Sequence, residues 1–100
     1  MVKVNWTPQS IVDLESIAEY ISKDSLHFAR IQVARFLEFI TILESNPMAG
    51  RVVPEFGIRS IREIIVGNYR IVYRLVSKTQ IDILTVHHSA RKLRKSFIQE

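Results

Sequence analysis

The side chains best equipped for chemistry in this chain of 100 residues are its arginines and histidines. Val66-Gly67-Asn68-Tyr69-Arg70-Ile71-Val72-Tyr73-Arg74 is followed, after one more hydrophobic run, by His87-His88-Ser89-Ala90-Arg91. If Arg70 and Arg91 converge in the fold, they mark a surface for a polyanion or an acidic partner, because guanidinium groups grip phosphate and carboxylate oxygens in paired hydrogen bonds. A histidine, titrating near about 6.5, can act as base or acid beside them. His87 and His88 are adjacent on an extended segment and point to opposite faces, so they cannot share one metal ion. There is no glycine-rich phosphate loop, no paired-carboxylate spacing and no nucleophile elbow. Protein-derived chemistry would therefore be arginine-centred phosphate chemistry. Metal-free RNA cleavage would further need a base and an acid drawn from His87, His88, Glu63 and the tyrosines.

The elements that must position these groups follow from periodicity. Val2 to Trp6 reads as a short strand. Thr7 caps a helix over residues 8–22, Pro8 suits its first turn and Trp6 can staple onto Ile11. Asp24 or Ser25 caps a second helix with the stripe Ala29, Val33, Phe36, Leu37, Ile40 and Leu43, and Asn46-Pro47 ends it. Three β-rich runs, 60–66, 69–76 and 80–88, are joined by turn-like connectors and should form an antiparallel meander. Ser89 can cap a short basic helix running through Arg91, Leu93, Arg94 and Phe97. The expected fold is α+β in the order β-α-α-β-β-β(-α), an antiparallel sheet with an αα-hairpin packed on one face, in a single domain over residues 1–100. Strand alternation then places Tyr69, Ile71, Tyr73 and Leu75 in the core, and Arg70, Val72 and Arg74 on the opposite, open face. The ordinary alternative for those arginines is pairing with Glu63 or Asp82 across the sheet. The stretch from Pro47 to Gly57 is a long loop for so small a domain, and so marks either function or a missed element.

Charge is polarised along the chain. Residues 1–50 carry four basic and six acidic side chains, whereas residues 51–100 carry ten basic and four acidic, leaving a net +4 in all. Such a balance suits a nucleic-acid contact or an acidic protein partner, or simply a solvated basic face. Without cysteine the chain has neither disulfides nor thiolate metal sites. No run of apolar residues is long enough to span a bilayer, so a cytoplasmic protein without membrane partners, metal or cofactor is expected.

Taken in order, Pro47-Met48-Ala49-Gly50-Arg51-Val52-Val53-Pro54-Glu55, Gly67-Asn68-Tyr69-Arg70-Ile71-Val72-Tyr73-Arg74 and Val86-His87-His88-Ser89-Ala90-Arg91 resemble the RelE/ParE superfamily of bacterial toxins, most closely its ParE branch. The resemblance covers nearly the whole chain. It implies a toxin of a type II toxin-antitoxin system, neutralised in a hetero-oligomer by a cognate antitoxin that lays a helix and an extended segment over it. ParE-like members act on DNA gyrase, and RelE-like members cleave messenger RNA in the ribosomal A site. On the RelE pattern Arg70 and Arg91 would flank the scissile phosphate, with His88 as a further catalytic candidate. The pattern is broken where its lysines stand, at Ile61 and Glu63 (Arg62 in a slipped register), and where its tyrosine stands, at Phe97. Gyrase inhibition without catalysis is therefore expected, ahead of RNA cleavage on the ribosome and of a small RNA-binding module. Binding to target or antitoxin is expected of Arg62, Arg70, Arg74, Arg91, Arg94 and Lys95, with Val52, Val53 and Phe56 as apolar ground.

Overall fold

Local signals set the first turn of the chain. Strand β1 (Lys3–Trp6) passes directly into helix α1 (Pro8–Ser22), because Thr7 is extended and its Oγ1 accepts from the Ser10 amide at 3.3 Å. The same hydroxyl donates to the Ile83 carbonyl at 2.7 Å, tying the cap to the sheet. Ser25, rather than Asp24, caps helix α2 (Leu26–Ser45), accepting from the Phe28 amide at 3.2 Å. In this computed structural model residues 1–91 and 93 are described. Ser89 and Ala90 form a turn and Arg91 a bend, where the sequence predicts the start of a helix; of the rest of that expected helix, residues 92 and 94–100 lie outside the described residues.

The remaining strands are β2 (Arg51–Val52), β3 (Ile61–Val66), β4 (Tyr69–Ser77) and β5 (Gln80–His88), and the five form one sheet in the order β1-β5-β4-β3-β2. The meander is antiparallel as expected, and its tight turn uses Gly67 at a φ of +61°, where a glycine avoids the strain of a Cβ. Two features correct the simpler picture. β1 joins β5 in parallel, since two consecutive helices return the chain to the same end of the sheet, so the sheet is mixed. The long loop also contributes a missed element, β2, which pairs Arg51 with Glu63 and Val52 with Arg62.

Alternation divides the apolar side chains between two cores. Ile71, Tyr73, Ile81, Ile83 and Val66 pack beneath Phe36, Ile40 and Leu43 of α2. On the other face Ile61, Val72 and Leu84 pack with Val53 and Leu93, flanked by Phe56. That face is therefore covered by the loop after β2 and, among the described residues beyond β5, by Leu93. Not every stripe residue reaches the core: Ile11 and Leu37 remain about half exposed, so Ile11 makes a poor staple for Trp6.

Among the described residues no strand flanks the upper half of β5 on its outer side, and helix α1 packs there instead. The register against β4 slips so that Val72 faces Thr85 while Tyr73 faces Ile83. Beyond that slip, Asp13 accepts from the Thr85 hydroxyl and from the Val86 amide, the latter at 3.1 Å.

The loop between α2 and β2 is locked by buried Tyr73, whose hydroxyl donates to the Pro47 carbonyl at 2.7 Å and accepts from the Gly50 amide at 2.9 Å. A Cβ on Gly50 would meet the Tyr73 hydroxyl at 2.5 Å and the Glu63 carbonyl at 2.6 Å, one of them backbone. Gly50→Ala should thus destabilise the fold by about 2 kcal/mol, a Tm fall on the order of 10 °C by thermal unfolding. An unchanged midpoint would show that the loop can move aside.

Candidate functional site

Gly67 and Asn68 reverse the chain so that Arg70 enters the sheet opposite Ile65 on β3 and His87 on β5. The parity is as the sequence predicts, yet the face is not open. Arg70 is only 6% exposed. Its Nε donates to Glu63 Oε1 at 2.6 Å, and its NH1 and NH2 donate to Glu55 Oε2 and Oε1 at 2.6 and 2.8 Å. The second Glu63 oxygen accepts from Arg51 Nε at 2.7 Å.

Two arginines and two glutamates thus sum to zero charge. Such compensation is what burying a guanidinium requires, since an unpaired charge removed from water costs several kcal/mol. The Glu63 carboxylate is fully buried and belongs to the framework, whereas the Glu55 side chain stays one-third exposed on its loop. The hydrogen bonds from Arg70 outweigh desolvation and hold the Glu55 carboxyl at about 2, well below its ordinary 4.5. Reciprocally, Glu55 first and then Glu63 raise the pKa of Arg70, so the pair remains ionised at any physiological pH.

The other expected site residues scatter. Arg62 donates to the carbonyls of Arg59 and Gly50 at 2.9 and 3.2 Å and so ties down the loop. Arg74, half-buried, faces Asp82 in register. Arg91 is exposed and lines a groove between α1 and the end of the sheet that Arg70 does not reach. His88 is exposed on the helix side, its Nδ1 accepting from the Ala90 amide and its ring edge-on to Tyr69, so the histidine beside Arg70 is His87. Val53 is fully buried, and Phe56 packs against the same core. Of the three apolar docking residues only half-buried Val52 and Phe56 retain some surface, because the loop turns its apolar side inward. Arg94 and Lys95 lie outside the described residues.

Sequence reasoning missed Glu55 altogether. It follows Pro54 in irregular backbone, and no periodicity indicates that such a loop folds back onto β4. Among the described residues no group of three or more His, Asp or Glu could hold a metal ion, and no helix is long and apolar enough to cross a membrane.

The sequence matches the family of ParE toxins of type II toxin-antitoxin systems, parDE, over residues 4–93. The chain belongs to that family and is a toxin of the RelE/ParE type. No curated protein matches it. Among solved structures, a chromosomal ParDE toxin-antitoxin system from P. aeruginosa superposes with a TM-score of 0.70 at 21% identity, covering 88% of this chain and 96% of that one. The toxin-antitoxin complex RelBE2 from Mycobacterium tuberculosis gives 0.63 at 23% identity, covering 87% and 96%. Both establish the α+β fold.

Removing one member of the buried network strands its partners. Arg70→Met should cost about 3 kcal/mol or more by urea unfolding, and adding Glu63→Leu should recover part of that loss. A neutral single substitution would mean that the network contributes little.

Because the Glu55 pKa is lower folded than unfolded, its stabilisation is complete above about pH 5 and is lost as pH falls toward 2. Wild-type stability should therefore fall more steeply across that window than that of Glu55→Gln. Parallel acid titrations of the two would contradict this.

Proposed function

We propose that this toxin arrests growth by inhibiting DNA gyrase, catalysing no reaction of its own, and that a cognate antitoxin neutralises it. The observation that carries this reading is the commitment of Arg70 to Glu55 and Glu63. A guanidinium can stabilise charge developing on a phosphoryl oxygen only if its donors point at the substrate. Here they point at two carboxylates, and the four side chains of that network carry no net charge.

The neighbouring positions support the same conclusion. Where the ribonuclease pattern has lysines, this chain has Ile61, 2% exposed, and the buried acceptor Glu63. Phe97 carries no hydroxyl to move a proton. Each missing group would forgo a factor of about 10² or more in rate. Cleavage of ribosome-bound messenger RNA would require Glu55 to leave Arg70 and His87 to act alone as base.

Antitoxin binding is supported by apolar surface on the helices rather than on the loop. A seam of about 540 Å³ between α1 and α2 is lined by Ala18, Leu26, Ala29, Val33 and Leu37, with Glu19 and Arg30 at its margin. An amphipathic helix fills such a seam with residues spaced by three and four.

Purified toxin should inhibit ATP-dependent supercoiling by gyrase, antitoxin from the adjacent reading frame should restore it, and ribosome-bound message should stay intact. Normal supercoiling at excess toxin, together with A-site cleavage, would reverse the assignment.

A further inference from the structure

The groove of about 830 Å³ between α1 and the end of the sheet has a fixed floor. Tyr69 is held edge-on by Phe36 and by His88, each at a ring-centroid distance of 5.5 Å. Asp13 in its wall is spent on Thr85 and Val86. The rim differs. Tyr20 is 70% exposed, and Asn68 and Arg91 are exposed as well. Among the described residues the side chains of these three make no hydrogen bond or ion pair with one another or with the body of the fold.

Holding a large amphipathic ring and a guanidinium in water contributes nothing to folding. Tyr and Arg are, however, the side chains that concentrate binding energy at the centres of protein interfaces. We propose that this groove seats a protein segment bearing an acidic side chain, supplied by the toxin's target. Arg91 takes the carboxylate in a two-point bond, Tyr20 covers the segment, and the Asn68 amide bonds its backbone. This rests on the toxin acting through a protein target, and it names the surface that does so.

Nucleic acid fits the groove less well. Its described lining sets one arginine against one carboxylate, Arg91 against Asp13, whereas phosphate-driven binding sums over several cations. The groove also shares no lining residue with the seam between the helices. Target and antitoxin therefore meet different sides of α1.

The test uses Tyr20→Ala and Arg91→Glu in the full chain, with thermal unfolding as a control for folding, which exposed substitutions should leave intact. Neither variant should arrest growth on induction, and each should need at least about tenfold more protein than wild type to half-inhibit gyrase supercoiling. Variants as toxic as wild type overturn the groove assignment whatever the target. Non-toxic variants beside a wild type that leaves supercoiling intact uphold the groove and overturn gyrase as its partner. Retention of a single-stranded oligonucleotide by wild type but not by Arg91→Glu, at moderate salt, overturns the acidic protein segment in favour of nucleic acid. A wild-type protein that neither arrests growth nor touches supercoiling overturns both proposals.

Discussion

An arginine on the central strand of a small sheet must either reach water or be neutralised where it stands. In this toxin Arg70 is neutralised, and much of the molecule is arranged around that fact. Glu63 lies beside it on β3 and is itself shared with Arg51. Glu55 comes from a loop that has to cross the sheet to deliver its carboxylate. Charge compensation and apolar burial are thereby coupled, for the same loop carries Val53 and Phe56 into the second core. Neither would hold the loop as well alone: the ion pairs need a site shielded from water, and the small apolar cluster needs the loop in one position.

That coupling shapes what the surface can do. Covering the second face removes it as an open platform for phosphate or bases. Two concave surfaces flank α1, an apolar seam toward α2 on one side and a polar, aromatic groove toward the end of β5 on the other. Thr7 and Asp13 hold α1 against β5 through side-chain bonds, so both surfaces are presented on an element anchored to the sheet. Anchoring of this kind lowers the ordering cost of any partner's binding there, because ordering a flexible surface would be subtracted from the binding energy.

Several parts of this design are legible in the chain itself. Thr7-Pro8 and Ser25 announce helix starts, Gly67-Asn68 announces a hairpin, and the alternation from Tyr69 to Val76 separates core residues from arginines. These are local signals, set by backbone dihedrals, capping groups and a side-chain period of two. They sufficed for the α+β order and for the helical hairpin over one face; the family resemblance rested instead on the residues of three motif segments. They did not reveal the parallel pairing of β1 with β5, because a two-helix crossover and a long return look alike until the strand finds its neighbour.

The candidate site divides along the same line. Sequence alone determined that Arg70 points away from the helical core and that His87 and His88 point apart, since alternation is a property of the extended backbone. Only the tertiary structure decided that Arg70 is buried, that Glu55 claims it, that His87 rather than His88 stands beside it, and that Arg91 belongs to another groove. Periodicity says which face a side chain takes; what covers that face depends on loops whose contacts span many residues and follow no period.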